Sequence, residues 1–152
     1  MHSLSNTRRL ILLVLITASV LMLTACGGAS TLVRGRVIGG SLGQAVAAAP
    51  GDERLREDGF PEMEVYVLSK GGNPALGRGI YAQAVTDELG DFELKFRPGT
   101  FPSDIVEIRV EGEGIYTARS TMYMPKAGDA LLCIVIPEPG YVRPESNRSP
   151  QE

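Results

Sequence analysis

Phe92, Leu94 and Phe96 alternate with Glu93 and Lys95. A period of two sends successive side chains to opposite faces of an extended strand, so residues 91–96 require one buried and one wet face. The same signature recurs along the chain. Residues 32–38 form a first predicted strand and 63–69 a second, with Met63, Val65 and Val67 on one face and Glu64 and Tyr66 on the other. Residues 80–86 are a third and 91–96 the fourth. Val106, Ile108 and Val110 alternate with Glu107, Arg109 and Glu111 in a fifth, 115–124 is a sixth, and 130–136 a seventh that is apolar on both faces. Gly71-Gly72-Asn73-Pro74, Glu88-Leu89-Gly90, Pro98-Gly99 and Gly112-Glu113-Gly114 punctuate the run. Short alternating strands separated by such breakers predict an all-β fold, a seven-stranded Greek-key-type sandwich of two sheets over residues 31–136. The one hint of a helical period, at 52–58, lies inside a Gly-, Ala- and acid-rich segment, 39–61, which reads as a surface excursion outside the core.

The start of the chain obeys a different logic. Residues 1–9 are polar and basic, Leu10 to Leu23 is an almost wholly apolar run, and Leu23-Thr24-Ala25-Cys26 follows. That tripartite layout is a secretory signal peptide, 1–25. The apolar run has 14 residues, short of the ~20 that a helix needs to cross the hydrocarbon core. Only Thr17 and Ser19 interrupt it, so it lacks the polar face of a core helix. Leu-Thr-Ala-Cys resembles the lipobox of bacterial lipoproteins, which implies cleavage before Cys26 and acylation of its sulfur and new amino group. Two or more acyl chains make a stable anchor, because each buried methylene adds ~0.8 kcal/mol. Cys26 is therefore the expected lipidation site and the membrane the expected partner. Residues 26–30 (CGGAS) are the tether, and the location is the cell envelope. Gly27, rather than Asp, after the cysteine resembles the signal for delivery to the periplasmic side of an outer membrane.

Cleavage would remove Arg8 and Arg9 and no acid, moving the net charge from −3 to −5. A chain of that charge lacks the basic footprint of a nucleic-acid partner or of a polybasic membrane contact. His2, the sole histidine, would leave with the signal. Ser-His-Asp, Cys-His and histidine-ligated zinc chemistry are then excluded, since each needs an imidazole near neutral pH. Cys133, the one remaining thiol, sits in the apolar run Leu131-Leu132-Cys133-Ile134-Val135-Ile136 and reads as a buried, unreactive residue. No catalytic residue and no cofactor is expected. Residues 137–152 are polar and proline-rich and read as a disordered tail.

Three pieces in order carry a further likeness: Val33-Arg34-Gly35-Arg36-Val37, Thr86-Asp87-Glu88-Leu89-Gly90-Asp91-Phe92, and Pro98-Gly99. The pattern resembles the carboxypeptidase regulatory-like, or transthyretin-like, β-sandwich family, over roughly residues 32–136. It departs from that family in the 39–61 excursion and in Gly114-Ile115-Tyr116, where a direct Gly-Tyr is usual. Each motif residue also has a local reason: Asp87 can accept from amides of its own turn, Gly90 supplies a positive φ, and Phe92 is the first inward residue of the returning strand. A calcium site on Asp87, Glu88 and Asp91 would need six or more oxygens from one exposed turn, so the turn reads as structural.

The expected function is a non-catalytic structural or protein-interaction module held at the membrane. The apolar second face of the last strand, Leu132, Ile134 and Ile136, is the expected place for an envelope protein partner. The alternative is a small-molecule or carbohydrate-binding lipoprotein, which would bring several of Tyr66, Tyr81, Tyr116, Tyr123 and Tyr141 into one groove.

Overall fold

The computed structural model describes residues 30–142. The expected signal peptide (1–25), Cys26 with the next three residues of the expected tether, and the last ten residues of the expected tail lie outside the described residues. The described chain is an all-β sandwich with nine strands in two sheets.

The first sheet contains β1 (Thr31–Gly39), β2 (Gln44–Ala48), β5 (Asp91–Phe96), β7 (Ile115–Tyr116) and β9 (Ala130–Pro137). Its order is β2-β9-β1-β5, with β7 also pairing β9. The second sheet contains β3 (Glu64–Asn73), β4 (Arg78–Val85), β6 (Val106–Glu111) and β8 (Ala118–Met122), in the order β4-β3-β6-β8. The β1–β9 pair is parallel and the others are antiparallel. A Greek key is visible in β3 to β6: β6 returns beside β3, β4 lies on the other side, and β5 runs close to β4 after crossing to the first sheet.

Alternation decides what fills the space between the sheets. Met63, Val65 and Val67 point inward from the second sheet, as do Val106, Ile108 and Val110. Phe92, Leu94 and Phe96 meet them from the first sheet, together with Val33, Val37, Leu131, Cys133 and Val135. Leu68 is also fully buried, at the point where the β3–β4 register shifts: Val67 pairs Ala82 and Leu68 pairs Ile80, which leaves Tyr81 as the extra residue on β4.

Three features depart from the sequence expectations. Two of them raise the strand count from seven to nine. The predicted sixth strand, 115–124, is two: β7 pairs β9 in the first sheet, and after Thr117 the chain changes sheets to pair β8 with β6. The 39–61 segment is not an excursion outside the core, since it contains β2, a short 3-10 helix (Glu53–Arg56), and buried Ala45, Ala48 and Phe60. The third departure follows from the second. Leu132, on the outer face of β9, is fully buried in a small second core with Ile38 and Ala48, flanked by Val46, Leu55 and Ile134. Of the face that the sequence offered to a partner, the chain's own segment covers Leu132, while Ile134 and Ile136 are half-buried. The tail also begins later than expected: Pro137 ends β9, and Tyr141 stacks on Phe60 with ring centroids 5.4 Å apart.

Candidate functional site

Thr86 to Phe92 is a corner between the sheets, and its side chains are engaged in building it. The Asp87 carboxylate accepts from the amides of Leu89 and Asp91, both at 2.9 Å, while the Gly90 amide donates to the Asp87 carbonyl at 2.9 Å. Gly90 has φ +80°, a conformation that side chains resist. Thr86 is buried, and its hydroxyl accepts from the Met63 amide at 2.8 Å and donates to the Phe60 carbonyl at 2.7 Å. It thereby ties the corner to residues 60–63, a role that the motif alone did not suggest.

The first and second motifs touch. Phe92 lies opposite Gly35 in the β1–β5 register, and a Cβ on Gly35 would collide with the Phe92 ring. Next to them the Arg36 guanidinium holds the Asp91 carboxylate through two bonds, Nε to Oδ1 at 2.6 Å and Nη2 to Oδ2 at 2.7 Å. Its third nitrogen donates to the Glu57 carbonyl at 3.0 Å. The Asp91 bond, above all, raises the Arg36 pKa from its ordinary value. The corner therefore commits Asp87 to amides and Asp91 to Arg36. No group of three His, Cys, Asp or Glu side chains able to hold a metal comes together among the described residues.

Cys133 is unpaired and fully buried, as the sequence predicts. Loss of water pushes its thiol up to about 12. A thiol so buried is neither ionised nor reachable at neutral pH, so it packs rather than reacts.

Open grooves indent the surface of the described residues. One of about 640 Å³ is acidic, lined by Glu62, Glu113, Glu138 and Tyr141. Glu62 adopts φ +57°, the one non-glycine residue with positive φ among those described. A second, about 480 Å³, lies beside Thr31 at the start of β1 and includes Leu32, Phe101, Tyr123, Met124 and Lys126. A third, about 530 Å³, runs along β4 and β5 past Tyr81, Lys95 and Arg97. Each groove has one tyrosine in its wall. Tyr66 donates instead to the Glu64 carboxylate at 2.7 Å, and Tyr116 is exposed on β7. The tyrosines that a carbohydrate site would gather are dispersed.

No family model, no curated protein and no solved structure matches the chain. Among the described residues no helix is long and apolar enough to cross a membrane. Cys26, the predicted lipidation site, falls four residues before Ser30, the first described residue.

Proposed function

We propose that this chain is a lipid-anchored protein of the bacterial cell envelope, with a carboxypeptidase regulatory-like β-sandwich that is a non-catalytic structural or protein-interaction module. The observation that carries this reading is Leu23-Thr24-Ala25-Cys26 directly after a basic start and a 14-residue apolar run. With cleavage before Cys26, the mature chain has lipid at its first residue and reaches β1 after four more. Two features of the sandwich support the non-catalytic part. The mature chain has no imidazole, and the thiol that remains is sealed in the core. The contact between Gly35 and Phe92 and the Asp87 turn support the family likeness, because both motifs have a packing or hydrogen-bonding role.

A small-molecule or carbohydrate-binding role ranks second, since each of the three grooves described has a single tyrosine in its wall. With Leu132 covered by the chain itself, an envelope partner would meet the half-buried Ile134 and Ile136 or the grooves of the sandwich. Fatty-acid labelling of growing cells, followed by membrane fractionation, tests the anchor. The wild-type chain takes up label and fractionates with membrane, the outer one where there are two. Cys26→Ala carries no label and leaves that fraction or stalls as the uncut precursor. Label retained by Cys26→Ala overturns the reading.

A further inference from the structure

The net negative charge conceals a sorting of charges along the sandwich. Thr31, where the tether enters, pairs with Phe96 at the end of β5. The following loop leads to Val106, which pairs with Met122 at the end of β8. The β3–β4 hairpin extends past its Leu68–Glu107 pairing at this same end. Here the structure places Lys70, Arg78, Arg97 and Lys126, with Lys95 one residue inward on β5. All three lysines of the chain are in this set. The five side chains are exposed, and none makes an ion pair among the described residues. Asp104, Glu107 and Asp129 are acids at this end, and Glu107 is held by Arg109 at 2.7 Å. The opposite end carries Glu62, Glu88, Glu113 and Glu138, all exposed.

The basic end also has the apolar groove. Phe101 stands edge-on to Phe96 with centroids 5.0 Å apart and remains 38% exposed. Tyr123 is 63% exposed, Ile105 53% and Leu32 42%. Aromatic rings among cations are what an interfacial surface requires, because the rings settle at headgroup depth while the cations meet anionic lipid. Tether length adds an independent constraint. Five residue steps from Cys26 to Thr31 span at most about 18 Å. A domain so restrained keeps this end close to the headgroups, where surface potential extends about a Debye length, ~8 Å.

We propose that the tether end of the sandwich docks on anionic lipid headgroups, with Phe101 and Tyr123 at the interface, Arg97 and Lys126 over the phosphates, and the acidic end turned away. This rests on the lipid anchor proposed above. It replaces the expectation that a chain of this net charge makes no basic contact with the membrane, because net charge is a sum and is blind to placement.

The test uses the full chain, purified from membranes and reconstituted in vesicles of phosphatidylethanolamine alone or mixed one to one with phosphatidylglycerol. Cys133 is sealed, so Ser103→Cys takes a fluorophore at the groove and Glu88→Cys takes one at the far end. Thr100→Cys reports independently beside Phe101. Brominated acyl chains quench the Ser103 and Thr100 probes in the anionic vesicles but leave the Glu88 probe bright. High salt relieves that quenching, and Arg97→Gln and Lys126→Gln each lower the ratio of docked to undocked protein about fivefold. Acyl label on the same preparation is read by mass. A labelled chain whose groove probes stay as bright as the Glu88 probe overturns the docking alone. An unlabelled chain overturns the anchor and the docking with it.

Discussion

Gly90 and Gly59 meet backbone against backbone. A Cβ placed on Gly90 would stand 2.5 Å from the Gly59 Cα, and one placed on Gly59 would strike the Leu89 carbonyl oxygen. Val37 fixes the approach from β1, since its amide donates to the Gly90 carbonyl at 2.9 Å and its carbonyl accepts from Phe60 at 2.8 Å. Gly90 is thus required twice, for a positive φ and for a contact with residues that precede it by about thirty positions.

The two requirements can be separated by substitution. Gly99 has φ +74° and open space around its Cα, so Gly99→Ala is expected to cost about 1 kcal/mol from backbone strain alone. Gly90→Ala adds overpacking to that strain and is expected to cost about 3 kcal/mol, with Gly90→Val costing more. Denaturant melts of the variants check the order. Equal costs for Gly90→Ala and Gly99→Ala would remove the Gly59 contact from the account.

Thr86→Val keeps the shape of the side chain and deletes its hydroxyl. The Met63 amide and the Phe60 carbonyl then lose a buried partner, and a loss of about 2 kcal/mol is expected. Phe92→Ala opens a cavity against Gly35 and is expected to cost about 3 to 5 kcal/mol, while the exposed Glu93→Ala changes little. Thermal melts rank the three, and a Thr86→Val melt equal to that of wild type contradicts the structural role of this hydroxyl.

The Arg36–Asp91 pair is bidentate, but Asp91 is half exposed, which limits its worth through screening. A double-mutant cycle with Arg36→Met and Asp91→Asn is expected to give a coupling of about 1 kcal/mol that shrinks in salt. A coupling indistinguishable from zero at low salt would reduce the pair to a surface ornament.

Alkaline pH acts on two groups in the same direction. Burial raises the Cys133 thiol to about 12, and the hydrogen bond to Glu64 leads the causes that raise the Tyr66 phenol to about 12. Both pKa values are higher folded than unfolded, so their contribution to stability is complete below pH ~9. It declines as pH rises from the unfolded values, ~9 and ~10, toward 12, because the unfolded chain gives up these protons first. Melts from pH 8 upward are expected to show stability falling beyond pH 9, and Cys133→Ala to fall later. Native thiol labelling at neutral pH is expected to be slow and limited by unfolding.

The sheets were legible where one face is wet and the other dry. In β3, β5 and β6 the alternation of residues 63–67, 92–96 and 106–111 depends only on the local pleat and burial. The Asp87 turn and the buried Cys133 were legible for the same local reasons. β2 was not, because Gln-Ala-Val-Ala-Ala carries small side chains with weak strand preference, and its place is set by pairing with β9. The split between β7 and β8 was hidden because strand propensity continues through Thr117 while the partner changes. At the candidate sites, single tyrosines and lysines have no local pattern at all. Only the folded topology gathers Lys70, Arg78, Lys95, Arg97 and Lys126 at the end next to Thr31.

Lipid at Cys26 is proposed to hold this sandwich at a membrane. The intact mass of the mature protein from its native membrane, with fragmentation of its N-terminal peptide, tests it most directly. The expected result is a chain that begins at Cys26, with a diacylglyceryl group on its sulfur. An unmodified Cys26, or a mature chain that begins elsewhere, would contradict it.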